Sequence, residues 1–186
     1  IRQLVCPAAQ MVCSYDPVSG EKLWRGRYPN KWSIVPRPVF SQGLVFVCTG
    51  CPGTAELLAI RPTGSGDVTD SHVAWRTDKH VPQIPSLLIV GNDIFLVSND
   101  GIASCRDVAT GRLYWRQRLG GSFSASPVHA DGRIYLQNEQ GVCTVISASR
   151  EYRQLGSTDL AEPILASCAF ADGAIFVRTE KSLYRI

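Results

Sequence analysis

Asp107-Val108-Ala109-Thr110-Gly111-Arg112-Leu113-Tyr114-Trp115 joins a turn signal to a strand that carries a tryptophan. Asp107 can accept hydrogen bonds from the backbone ahead of it, and Gly111 can take a positive φ, so the pair closes a tight connection. The run Arg112 to Arg118 then sets large rings between charges, as a partly exposed strand does. The same unit stands upstream as Asp16-Pro17-Val18-Ser19-Gly20-Glu21-Lys22-Leu23-Trp24. In both copies Asp leads Gly by four residues and Trp by eight.

A second feature, a turn followed by an apolar run, confirms that the chain is built from repeats. It recurs as Gly43 to Val47, Asn92 to Leu96, Gly132 to Leu136 and Gly173 to Val177, at intervals of 49, 40 and 41 residues. One aromatic position stays in register through all four, at Phe46, Phe95, Tyr135 and Phe176. The long interval contains the Gly/Ser/Asp-rich stretch Pro62 to Ser71.

The strand-like runs are short, bounded by turn signals every eight to twelve residues, and none carries the i, i+3, i+4, i+7 apolar spacing of a helix. A period near 40 residues with four strands per unit predicts an all-β fold, a β-propeller of four-stranded antiparallel blades. The 186 residues form one partial-ring domain: three complete blades at 37–79, 84–119 and 124–157, flanked by partial ones at 10–28 and 166–186. The first partial blade reads as two strands only. A small closed ring pairing 10–28 with 166–186 is disfavoured, because both ends supply the same strand of the unit.

Composition excludes several classes. With 45% hydrophobic and 19% charged residues the chain is a globular protein, not a disordered tail. No stretch approaches 18 consecutive apolar residues, so no transmembrane span is expected. The net charge of +3 is spread without a Lys/Arg run, which argues against a nucleic-acid partner. The opening Ile1 to Cys6 carries no signal-peptide pattern, and the chain is expected to be part of a longer one with further blades. Its seven cysteines fit no disulfide framework.

The pattern Asp-x-x-[Ser/Thr]-Gly-x-x-x-Trp at 16–24 and 107–115, with degenerate copies at 61–75 and 147–155, resembles the repeat of the pyrroloquinoline-quinone-type (PQQ-like) propellers. Phe123 to Tyr135 and Asp172 to Lys181 are similar to the same family, and the likeness extends over roughly residues 10–186. The chain looks like the C-terminal half of a BamB-like member. The resemblance implies a scaffold for protein–protein contacts in the bacterial envelope, periplasmic or secreted, with envelope proteins as partners. It also implies that Trp24, Trp75 and Trp115 dock each blade on its neighbour, while Asp16, Gly20, Asp107 and Gly111 form the repeat turns. In the last complete unit Leu155 takes the place of Trp.

Some members of this family are quinoprotein dehydrogenases holding PQQ with Ca²⁺, acting on alcohols or sugars. Here there is no Cys-Cys dipeptide, and Asp16 and Asp107 already have turn roles, so no cofactor, metal or catalytic residue is predicted and the dehydrogenase is the alternative. Cys48-Thr49-Gly50-Cys51 lacks a second ligand pair for zinc and reads as a core filler plus a loop thiol. His72, His80 and His129 are scattered, and Ser122, Ser124 and Ser126 read as loop polar groups. The stretch 62–71 reads as a solvated hairpin, with a binding loop as its other reading.

Overall fold

The computed structural model describes residues 2–186, and every regular element among them is a strand. The first sheet holds β1 (Leu4–Ala8), β2 (Met11–Tyr15) and β3 (Lys22–Arg27). The second holds β4 (Val39–Ser41), β5 (Leu44–Cys48), β6 (Leu57–Ile60) and β8 (Val73–Thr77), while the short β7 (Gly66–Asp67) between β6 and β8 leaves its own sheet and pairs with β3. The third sheet is β9 (Leu88–Val90), β10 (Asp93–Val97), β11 (Ile102–Asp107) and β12 (Leu113–Arg118). The fourth is β13 (Val128–Ala130), β14 (Arg133–Gln137), β15 (Val142–Ser147) and β16 (Gln154–Asp159). A three-stranded sheet of β17 (Ala169–Ala171), β18 (Ala174–Arg178) and β19 (Leu183–Arg185) ends the chain.

All pairings are antiparallel except β3 with β7. This is an all-β propeller of successive blades. The ring is not closed: among the described residues four hydrophobic clusters lie between consecutive sheets, and none joins the last sheet to the first. A closed four-bladed ring is therefore not formed. Strand alternation explains the stacking, because successive side chains point to opposite faces. On β10, Ile94 and Leu96 enter the cluster shared with the second blade, while Phe95 and Val97 enter the one shared with the fourth.

The first blade has more strands than its sequence suggests. β1 folds back on β2 through Ala9 and Gln10, with Gln10 at φ 66°, a conformation that glycine usually supplies. The turn therefore carries no glycine signal. Pairing also moves the tryptophan position of the fourth blade. Trp24, Trp75 and Trp115 sit opposite Ser14, Ala59 and Cys105, each one residue after a bulge at Leu23, Ala74 or Tyr114. In the fourth blade the bulge residue is Leu155, and Gly156 faces Val145 in the tryptophan register. Leu155 is thus not the replacement for Trp; Gly156 is, and a Cβ added there would meet nothing within 4 Å. The junction that lacks an indole has a small buried cluster of Ile164, Cys168 and Val177, helped by the Tyr135–Phe170 ring pair at 4.8 Å.

Candidate functional site

The two repeat turns are closed by their aspartates. The Asp16 carboxylate accepts from the amides of Val18 and Ser19 at 2.8 and 2.9 Å, and Gly20 N–H donates to the Asp16 carbonyl. Those backbone donors, Ser19 first, hold the Asp16 carboxyl below its usual range. Asp107 accepts from the Thr110 amide and hydroxyl at 2.9 Å each and from the Tyr114 hydroxyl at 2.8 Å, and these donors, Tyr114 first, hold its carboxyl below the usual carboxylate range. Gly20 and Gly111 take φ of 74° and 71°. Arg150 of the fourth blade reaches back to Asp93 at 2.9 Å and Asp107 at 3.6 Å, with its guanidinium 4.5 Å above the Tyr114 ring.

The tryptophans lie between blades. Trp75 donates its indole N–H to the Val108 carbonyl of the third blade at 3.1 Å, and Trp115 donates to the Ser149 carbonyl of the fourth at 3.0 Å. Trp115 also meets the edge of Tyr152 at 5.2 Å. Trp24 is fully buried in the cluster between the first and second blades. Its N–H does not reach the next blade directly. It donates to Gln3 Oε1 at 2.9 Å, and Gln3 Nε2 donates to the Pro62 carbonyl at 2.9 Å, so one carboxamide bridges the gap.

The stretch 62–71 is not a solvated hairpin. Its β7 adds a parallel strand to the outer edge of the first blade, pairing Trp24 with Gly66 and Arg25 with Asp67. Val68 is buried in the shared cluster and its amide donates to the Arg25 carbonyl. Asp67 takes both Arg25 and Arg27, at 3.2 and 3.0 Å. The Thr69 hydroxyl and amide, followed by the two arginines, pull its pKa down to about 2. This strap ties the second blade to the first across an edge that would otherwise be unpaired.

The loops from the outer strand of one blade to the inner strand of the next gather at one end of the molecule, together with the β5–β6, β10–β11 and β14–β15 turns. They are joined by a ladder that residue reading missed. The Arg37 amide donates to Ser86 Oγ at 3.1 Å, the Ser86 amide to Ser126 Oγ at 2.9 Å, and the Ser126 amide to Ser167 Oγ at 2.9 Å. Each rung links the same position in neighbouring blades, so the signal lay in the register of Ser86, Ser126 and Ser167. Two residues before each rung stand Val35, Ile84, Ser124 and Leu165. The three aliphatic ones point to solvent, 54, 40 and 67% exposed, and Trp32 in the first loop is exposed as well. One residue further back, Phe123 and Ile164 turn inward and are buried. The rim is therefore a row of exposed apolar side chains, interrupted by Ser124, on a hydrogen-bonded backbone.

The remaining groups do not converge. Cys48 belongs to the core between the second and third blades, where burial pushes its thiol up to about 12, and Cys51 lies in the loop beside Trp32, accepting its amide at 2.8 Å. All seven cysteines are free. Ser124 donates to Glu139, His72 accepts or donates to Ser71 depending on its tautomer, and His80 meets Arg116. Among the described residues no three of His, Cys, Asp and Glu gather around a point where a cation could bind. Among the described residues the buried side-chain polar atoms left without a partner are Ser104 Oγ and Arg106 Nε, a hydroxyl and a guanidinium edge.

A stacked series of four-stranded sheets, each sealed to the next by an indole or its substitute, defines a β-propeller repeat protein. Residues 64–153, a little under half of the chain, match the family model described as outer membrane protein assembly factor BamB, which supports a PQQ-like repeat. No curated protein matches the sequence. Among solved structures, BamB from Moraxella catarrhalis superposes with a TM-score of 0.73 at 14% identity, over 98% of this chain and 56% of that one. A quinohemoprotein alcohol dehydrogenase from Pseudomonas putida HK5 gives 0.67 at 11% identity, over 91% of this chain and 30% of that one. A europium-containing methanol dehydrogenase gives 0.54 at 12% identity, over 66% of this chain and 24% of that one. The chain spans little more than half the length of the BamB chain, and identities this low speak for the fold.

Proposed function

We propose that this chain is a non-catalytic PQQ-like propeller scaffold that binds a protein partner in the bacterial envelope, in the periplasm or secreted. The supporting observation is the rim of Trp32, Val35, Ile84 and Leu165. Single exposed aliphatics are ordinary on a protein surface, but three at the same repeat position, Val35, Ile84 and Leu165, on loops cross-tied by serine hydroxyls and interrupted only at Ser124, form a preorganised apolar contact line. An exposed Trp at its end is the residue type that most often anchors an interface. The likeness to an assembly factor favours the same reading by analogy of fold.

A photo-crosslinking amino acid placed at Ile84 or Leu165 in the full-length protein in cells is expected to trap one discrete partner, and one at Val18 on the opposite turns none. Leu165→Asp should remove the crosslink formed from position 84. Absence of any discrete product from the rim positions refutes the reading. The second reading, a piece of a quinoprotein dehydrogenase, draws on the superposition with the alcohol dehydrogenase over 91% of this chain. Dye reduction by the full-length protein with PQQ, Ca²⁺ and alcohols or sugars would reverse the ranking.

A further inference from the structure

Among the described residues, the junction between the fourth blade and the last sheet is the one without an indole. Gly156 holds the tryptophan register there, and the buried cluster is reduced to Ile164, Cys168 and Val177. Two cysteines face this junction from its two sides. Cys143 lies on β15 directly opposite Gln137 of β14, and Cys168 immediately precedes β17 of the last sheet. The Gln137 carboxamide crosses the gap: its Oε1 accepts the Cys168 amide at 2.9 Å, so the residue paired with Cys143 also fixes the backbone of Cys168.

The repeat brings these two positions together elsewhere in the chain. In the second blade the equivalent of the Gln137–Cys143 pair is Cys48 with Leu57, and the residue before β9 is Leu87. Cys48, Leu57 and Leu87 belong to one buried cluster between the second and third blades. Alternation along β15 gives Cys143 the same orientation, toward the sheet that follows, because Ile146 on that strand belongs to the cluster shared with the third blade. Burial pushes both thiols up to about 11, and the neighbouring Cys143 adds to the shift at Cys168. Cys143 is half-buried, whereas Cys168 is 6% exposed.

We infer that Cys143 and Cys168 are a disulfide site that ties the fourth blade to the last sheet in place of the missing indole, the structure holding its dithiol form. The oxidant is a small disulfide of the glutathione class. The Cys143 thiolate attacks one of its sulfurs and releases a first thiol; the Cys168 thiolate then attacks the Cys143 sulfur of the mixed disulfide and releases the second. Two cysteine thiols are oxidised to one S–S bond, one small disulfide is reduced to two thiols, and the two cysteine protons pass through solvent to the released thiolates. The thiolate is the nucleophile, so thiols held this high react slowly at neutral pH and the exchange runs while the junction is open. Cys6 and Cys13 are opposed as well, but they join two strands that already form a hairpin, and a bond there connects no second blade. The inference goes beyond the scaffold reading, which supplies an oxidising compartment; the test is made in defined buffer, so the two fail separately.

The full-length protein is equilibrated with reduced and oxidised glutathione at mildly alkaline pH until its thiol count is constant, blocked with iodoacetamide and digested with trypsin. Cleavage at Arg133, Arg150, Arg153 and Arg178 puts Cys143 in fragment 134–150 and Cys168 in fragment 154–178, each with no other cysteine. Mass spectrometry is expected to find these two fragments joined, and dithiothreitol to separate them. Cys143→Ser, shown to be folded by circular dichroism, should give no joined product and leave Cys168 alkylated. Hydrogen exchange at the β17 and β18 amides should slow about a hundredfold on oxidation, the effect of closing a loop of about 25 residues, and should not change in Cys143→Ser. Recovery of the two fragments only apart, joining of either chiefly to another cysteine, or equal exchange in the oxidised and reduced protein overturns the inference. The fragment mapping needs no variant, so it decides the point even if Cys143→Ser does not fold.

Discussion

Replacing Gly111 with alanine tests whether the indole of one blade is seated on the turn of the next. Two costs are separable there. At φ 71° an alanine sits in the left-handed region at about 1–2 kcal/mol. Its Cβ would also stand 2.6 Å from Cε3 of Trp75, and such overpacking costs about 1–3 kcal/mol. The sum for Gly111→Ala is about 2–5 kcal/mol. Gly20 has the same turn and a φ of 74°, but a Cβ there would meet nothing within 4 Å. Gly20→Ala should therefore cost only the backbone part, about 1–2 kcal/mol. The gain from stiffening the unfolded chain is common to both and cancels in the difference. In a Trp75→Ala background, itself destabilised by about 3 kcal/mol, the Gly111→Ala penalty should shrink to that of Gly20→Ala. Urea unfolding followed by circular dichroism reads all five proteins, and the cycle should return a coupling of about 1–3 kcal/mol. Equal penalties for Gly111→Ala and Gly20→Ala, or a penalty unchanged without Trp75, would refute the seating of the indole.

Two further outcomes follow from the first junction. Gln3→Ala leaves the buried Trp24 N–H and the Pro62 carbonyl unpaired, which should cost about 1–3 kcal/mol in urea unfolding; a loss below about 0.5 kcal/mol would mean that the carboxamide bridge adds nothing. The strap should be acid-labile. Asp67 has its pKa lowered to about 2 against about 3.9 in an unfolded chain, so its contribution is complete above pH 4 and fades as pH falls through 2. The Val68 amide resonance should titrate over that window, and Asp67→Asn at neutral pH should speed its hydrogen exchange; a strap that exchanges at the same rate in the variant would refute the role of the ion pairs.

The repeat made most of the fold legible before any coordinates. Asp16, Gly20, Asp107 and Gly111 announce their turns because the side-chain acceptor and the positive φ are local properties of those residues. The apolar runs at 44–48 and 94–97 announce strands buried on both faces. What escaped was wherever the backbone did an ordinary job with an unusual residue. Gln10 closes a hairpin without glycine, so β1 was hidden. Gly156 falls in the tryptophan register only because a bulge at Leu155 shifts the pairing by one.

The sequence alone determined the module and its count, because periodicity, turn chemistry and strand patterning are written within some forty residues. Only the tertiary structure decided how modules join. Ser86, Ser126 and Ser167 form a ladder, β7 crosses to another blade, and Gln3 bridges Trp24 to Pro62 through contacts between residues about 40 to 60 apart. Such pairings depend on where each blade stacks against its neighbour, and that placement is set by the burial of both sheet faces at once, which no local window of residues contains.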